Sequence, residues 1–162
     1  MKWFRFLVLL SVALVVQRSF GDRMEVYGSR PDFVLILALH LSLCAGSGLI
    51  FGAQWVAGLA RDLFGIGVLG LSACLFPLLG TLASRLGRDL YAHHPLTRLV
   101  LSFLVALQVE LTFSFVLFLK AEHLDLFSLF AQGFGSAIYT ALVALILYRL
   151  LDMWPALEAR TR

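Results

Sequence analysis

The sequence predicts an all-α integral membrane protein that crosses the bilayer six times. Of the 162 residues, 60% are apolar and only 14% are charged, whereas soluble domains are usually about 45–50% apolar and about 25% charged. Six spans of roughly 20 residues would use about 120 positions, which leaves only short loops and tails. The composition therefore excludes an ordinary soluble enzyme, a nucleic-acid-binding domain and a disordered chain.

Glycine-rich or polar breaks separate the six predicted spans. The first follows basic residues, as in a signal peptide, but no small-x-small cleavage site follows it, so we expect an uncleaved span. Pro31 and Asp32 suit the first turn and the positive dipole end of the second span. The spans lie at about 3–20, 31–46, 48–62, 68–85, 98–119 and 126–149.

The break between the second and third spans is inferred from length. One helix over residues 31–60 would be about 45 Å long, which exceeds a hydrocarbon core of about 30 Å. We therefore expect a tight reversal at residues 46–48, and a polar loop at residues 85–97. The whole chain, 1–162, forms a single transmembrane domain in this prediction.

The distribution of basic residues predicts the orientation. With six spans, the side of the termini carries eight Lys and Arg residues, and the other side carries five, Arg61 among them. The positive-inside rule then places both termini in the cytoplasm. The net charge of +3 is explained by this orientation and gives no indication of nucleic-acid binding.

Small residues at helical spacing mark two candidate packing faces. Gly48 and Gly52 form a GxxxG pattern on the third span, and Ala131 and Gly135 repeat the spacing on the sixth. Such faces let helix backbones approach closely in lipid. Two interpretations stay open: packing within this chain, or a docking face for another membrane protein.

Several polar side chains are predicted at bilayer depth. His40, Gln54 and Gln108 lie near the middles of their spans, Glu110 follows half a turn after Gln108, and Tyr139 and Thr140 lie near the middle of the sixth span. A pair between Glu110 and His40 would offset the cost of a charge at that depth. The pair would be a substrate or proton site, or an internal hydrogen-bond clasp with a Glu110 that is simply protonated.

Arg61 and Asp62 end the third span at the predicted external interface. We expect Asp62 to accept hydrogen bonds from the free amides of residues 64–67, or to pair with an arginine of the first external loop. Either contact would fix the turn between the third and fourth spans.

The sequence contains no constellation typical of catalysis. It has no HExxH, no CxxC and no phosphate loop, and His93 and His94 lack a third metal ligand. We expect no enzymatic activity, no cofactor and no metal. Cys44 and Cys74 lie inside apolar stretches, which favours buried packing residues.

A pattern over residues 31–87 carries a family resemblance. It begins with Pro31-Asp32 before an apolar helix, and it ends at the basic exit at Arg85. Between these lie Gly58-Leu59-Ala60-Arg61-Asp62-Leu63-Phe64-Gly65 and Leu69-Gly70-Leu71. The pattern resembles the rod shape-determining protein MreD family. The sequence departs from it at Arg61, where an apolar residue is usual, and at Ser72, where an asparagine is often found.

The resemblance implies a non-enzymatic membrane scaffold subunit of the bacterial cell-elongation complex, in the inner membrane. Its implied partners are an MreC-like periplasmic protein, a RodA-type glycosyltransferase with its class B penicillin-binding protein, MreB filaments and membrane lipid, with no nucleic acid. The family fold is similar to the substrate-binding subunits of energy-coupling-factor transporters. That similarity supplies the alternative, a substrate-binding subunit of a small-molecule (vitamin-type) transporter, because fold alone does not decide function.

Ten residues are candidates for partner binding or for a structural role. They are Pro31, Asp32, Gly48, Gly52, Gly58, Arg61, Asp62, Gly65, Glu110 and Gly135.

Overall fold

A computed structural model describes residues 2–20, 29–44, 47–64, 69–89, 95–120 and 126–152. These residues form six α-helices, which confirms the predicted all-α class. The helices are α1 (Lys2–Phe20), α2 (Phe33–Cys44), α3 (Ser47–Phe64), α4 (Leu71–Asp89), α5 (Pro95–Lys120) and α6 (Leu126–Asp152).

The helices pack around α2. It contacts α1, α3, α4 and α6, while α3 packs along α4 and α5 packs along α6. Every residue from 34 to 41 is buried, so α2 is apolar on all sides because it is enclosed on all sides. Its C-terminal half carries His40 and Ser42, both buried as well.

Helix length differs widely within the bundle. α5 and α6 have 26 and 27 residues and are about 40 Å long, whereas the 12 residues of α2 span only about 18 Å. Among the described residues, the segments Pro95–Lys120 and Phe127–Leu151 are long and apolar enough to cross a membrane. Phe33–Leu43 and Leu71–Gly87 are apolar but shorter. Six membrane crossings therefore remain a prediction.

The predicted polar loop at residues 85–97 is shorter than expected. α4 continues to Asp89, and α5 begins at Pro95, since proline is well suited to the first position of a helix. α2 ends at Cys44 and α3 begins at Ser47. Gly46 and the pair His93 and His94 lie outside the described residues.

Candidate functional site

Arg61 is the centre of a largely buried polar cluster at one end of α2, α3 and α4. Its Nε lies 2.6 Å from Asp32 Oδ2, and its Nη1 donates to Ser72 Oγ at 2.7 Å. Its Nη2 lies 3.8 Å from Glu110 Oε1. The guanidinium therefore joins the ends of three helices to α5. We call Asp32, Arg61, Ser72 and Glu110 the Arg61 cluster.

Two aromatic rings flank the guanidinium. Arg61 Cζ lies 4.6 Å from the ring centre of Phe113 and 5.7 Å from that of Phe76, within the range of cation–π attraction. The Arg61 side chain is only 15% exposed. A buried charge is costly unless it is paired. The carboxylates and the ring faces together offset the cost of removing the Arg61 charge from water.

Asp32 has two roles in the cluster. Its Oδ1 accepts the Leu35 amide at 3.0 Å, so it is the N-cap of α2. Its own amide donates to Thr140 Oγ1 of α6 at 3.2 Å. Oδ2 accepts no hydrogen bond from the described residues and is balanced by the charge of Arg61. Pro31 directly precedes this N-cap and is fully buried, two positions before the first turn of α2, in which we expected it.

Asp62 caps α4 from the end of α3. Its Oδ2 accepts the amides of Gly70 at 2.9 Å, Ser72 at 3.0 Å and Ala73 at 3.2 Å. Gly70 precedes α4 with φ of +92° and has no side chain to cap the helix itself, so Asp62 supplies the missing acceptor. The donors are therefore amides at the start of α4 and not the amides of residues 64–67 that we expected. Gly65 itself lies outside the described residues.

Gly58 lets α3 and α4 meet backbone to backbone, one turn before Asp62. A Cβ at this position would lie 2.6 Å from the Ser72 carbonyl carbon and 2.8 Å from Ala73 Cα. No side chain fits there without moving α4. The close contact and the Asp62 cap therefore depend on each other.

Glu110 has a different partner from the one that the sequence indicates. Its Oε1 lies 3.3 Å from Ser136 Oγ and 3.8 Å from Arg61. His40 instead stacks on Tyr148, with ring centres 5.7 Å apart. Arg61, expected at the interface, and Glu110, expected near the midplane, are thus in contact through the ends of their side chains.

The segment before α2 lies against α6. Ser136 Oγ donates to the Arg30 carbonyl at 2.9 Å, and Ser29 Oγ donates to the Gln132 carbonyl at 3.5 Å. A Cβ at Gly135 would lie 2.6 Å from Ser29 Oγ. Gly135 is therefore needed for the close seating of this segment on the helix.

The glycines of the third span have separate surroundings. A Cβ at Gly52 would lie 3.3 Å from a ring carbon of Trp3 in α1. Gly48 lies in the first turn of α3, where the structure describes the backbone alone. The GxxxG pattern is therefore not seen as one continuous contact face.

Gln54, which we expected near the middle of the third span, makes a second buried polar contact. Gln54 is fully buried, contacts Ser42 Oγ, and donates to the Phe76 carbonyl at 3.0 Å in the amide orientation that satisfies its neighbours. A Cβ at Gly80 would overlap the Gln54 amide. Gln54 was recognisable as a polar residue in an apolar span, whereas the role of Gly80 depends on which helix faces it.

Comparison with known families identifies the chain. A sequence model of the family described as rod shape-determining protein MreD matches residues 1–154. The chain belongs to the MreD family. Members of this family are membrane proteins with a role in determining rod shape. No curated protein and no solved structure matches the chain.

Arg61 and Ser72, the two positions at which we expected a departure from the MreD pattern, meet in one contact. Arg61 Nη1 and Ser72 Oγ are hydrogen-bonded to each other at 2.7 Å, beside the first turn of α4.

The arrangement is suited to holding helices in place. Arg61 contacts two carboxylates and a hydroxyl, Asp62 contacts three amides, and Ser136 contacts a carbonyl and Glu110. These polar groups are directed at one another and at the backbone. The cluster therefore fixes the relative positions of five helices, α2 to α6.

Proposed function

We propose that the chain is a non-enzymatic membrane scaffold subunit of the bacterial cell-elongation complex. In this proposal it binds an MreC-like periplasmic protein and supports peptidoglycan synthesis by a RodA-type glycosyltransferase with its class B penicillin-binding protein. MreB filaments connect to the same assembly from the cytoplasm. Membership of the MreD family supports the role in rod shape.

The observation that carries the proposal is the Arg61 cluster. A scaffold needs a surface whose parts keep fixed positions, and the cluster joins the ends of α2, α3 and α4 to the middle of α5 and α6. A small-molecule-binding subunit needs polar groups that converge on an open pocket. Here the polar groups meet one another, which favours the scaffold over the transport subunit.

The proposal includes an orientation in the inner membrane. We infer six crossings with both termini in the cytoplasm, from the distribution of basic residues. The end of α3 and the start of α4 then point toward the periplasmic side, and the Arg61 cluster holds them against the middle of α5. A periplasmic partner would meet the bundle on this side.

Co-purification tests the proposal. An affinity-tagged chain is extracted from its native membrane in mild detergent, and the associated proteins are identified by mass spectrometry. We expect an MreC-like single-span protein and the glycosyltransferase–transpeptidase pair at levels well above those from an untagged strain. We also expect depletion of the chain to give rounded cells. Normal rods after depletion, or recovery of transporter ATPase subunits instead, would contradict the scaffold proposal.

A further inference from the structure

A lateral groove runs between α3 and α4 on the outside of the bundle. It has a volume of about 630 Å³. One wall carries Phe51 and Trp55 of α3, and the other carries Pro77, Leu78 and Leu82 of α4. Cys74 and Arg85 line the groove at its two ends along α4. Cys74 is exposed, contrary to the packing role expected from the sequence.

The dimensions of the groove suit a hydrocarbon chain. From Cys74 to Arg85 the groove follows α4 for about 16 Å, at 1.5 Å per residue. A volume of about 630 Å³ over that length leaves room for a flexible acyl chain along the groove.

The walls present almost no free polar group to an occupant. Trp55, Leu78 and Leu82 are each at least half exposed. The Thr81 hydroxyl, which also lines the groove, already donates to the Pro77 carbonyl at 2.6 Å. An apolar occupant would therefore gain contact area without leaving a wall hydroxyl unsatisfied.

The Arg85 end of the groove is positively charged. Arg85 is exposed and makes no ion pair with the described residues. α3 begins at Ser47, one turn before Phe51, so the positive end of its dipole lies at the same end of the groove. An occupant that is apolar along most of its length and anionic at one end matches this distribution.

We propose that this groove binds an anionic phospholipid, with one acyl chain between α3 and α4 and the phosphate at Arg85. In the orientation inferred above, Arg85 lies at the cytoplasmic boundary, where anionic lipid headgroups occur and attract basic residues. The chain then extends from Arg85 toward Cys74. The site is separate from the Arg61 cluster, which is at the opposite end of α3.

Native mass spectrometry of the delipidated, detergent-solubilised full chain tests the site. We compare phosphatidylglycerol with phosphatidylcholine of the same acyl chains, and expect the anionic lipid to be retained preferentially. Arg85→Gln should lower phosphatidylglycerol binding about fivefold, since one basic residue near a headgroup contributes roughly 1 kcal/mol. Arg149→Gln is the matched control, because Arg149 is an exposed arginine near the end of α6 that does not line the groove.

A steric variant tests the acyl chain separately from the charge. Leu82→Trp fills the groove and should lower binding of both lipids, and Leu78→Trp does the same if the first variant does not fold. Equal effects of Arg85→Gln and Arg149→Gln would overturn the proposal. So would competition by glycerol phosphate as strong as that by the intact lipid, or an unchanged lipid content in both tryptophan variants. A disulfide or crosslink from Cys74 to another protein in native membranes would also overturn it, in favour of a partner helix.

Discussion

Arg61 and Ser72 show how a charge is accommodated where α3 meets α4. The guanidinium has its closest contacts with Asp32 at 2.6 Å and Ser72 at 2.7 Å, and Phe113 covers its face. The sequence singles out Asp32, Arg61, Asp62 and Glu110 because charged residues are conspicuous in apolar spans. Their partners depend on helix rotation and relative depth, which the spacing of residues along the chain does not fix.

Asp62 gives the first prediction at this scale. Asp62→Ala should leave the amides of Gly70, Ser72 and Ala73 without their acceptor, and should destabilise the start of α4 by about 1–2 kcal/mol. We expect the variant to insert, to bind the MreC-like partner less well and to give rounded cells. Co-purification at equal membrane levels measures the effect.

Asp62→Asn is the matched control, since its amide oxygen still accepts hydrogen bonds and the effect should be milder. If the Ala and Asn variants both bind the partner as the parent does, and cell shape is unchanged, Asp62 has no part in the binding surface.

The second prediction compares the loss of stability in two variants, one at Asp32 and one at Glu110. Asp32→Asn removes the carboxylate at 2.6 Å from Arg61 and leaves a buried charge poorly balanced, at a cost of about 3 kcal/mol. Glu110→Gln loses only the 3.8 Å contact and keeps an oxygen for Ser136, so it should fold and function normally.

Thermal unfolding in detergent and restoration of rod shape measure this ranking. A Glu110→Gln protein that reaches normal membrane levels without function would point to proton coupling or ligand binding in place of a structural role.

At the scale of the helix, the predicted spans lie close to the observed elements. Five of the six spans differ from α1, α2, α3, α5 and α6 by no more than three residues at either end, because apolar runs and glycine breaks are local features. The fourth span differs most, since α4 ends four residues later than predicted, at Asp89, and its polar last turn is indistinguishable from a loop by composition. Capping across helices, as by Asp62, is a tertiary feature and leaves no local signal.

The prediction at the scale of the helix concerns the close contact of α3 and α4 at Gly58. Gly58→Ala puts a methyl group into the α4 backbone, which must then move away from α3 and weaken the Asp62 cap. We expect a loss of about 1–3 kcal/mol from overpacking, measured by thermal unfolding in detergent.

Gly52→Ala is the control, because its methyl group would meet only a movable edge of the Trp3 ring, at 3.3 Å. Equal stability of the two variants would mean that the α3–α4 backbone contact is unimportant.

For the whole molecule, we infer the orientation from the distribution of basic residues, and the Arg61 ion pair bears on the count. Arg61 is one of the five basic residues that we assign to the external side, but its charge is paired with that of Asp32. Without Arg61, the count is eight basic residues on the side of the termini against four on the other side.

We therefore expect a periplasm-active reporter fused after Arg162 to stay silent. The same reporter inserted between α5 and α6, after Lys120, should be active in the same strain. Activity at Arg162 would mean an odd number of crossings. The predicted reversal between α2 and α3 would then be the first feature to test.

The enclosure of the short helix α2 has a consequence for how the protein is made. At about 18 Å, α2 is too short to rest stably in a bilayer by itself when it leaves the translocon. Three of its neighbours, α3, α4 and α6, are synthesised later, and the Asp32 amide finds its acceptor, Thr140, 108 residues further along the chain. We therefore expect α2 to reach its final, enclosed position only after α6 has been made, and a nascent chain stalled before α6 to be more exposed to membrane quality-control proteases.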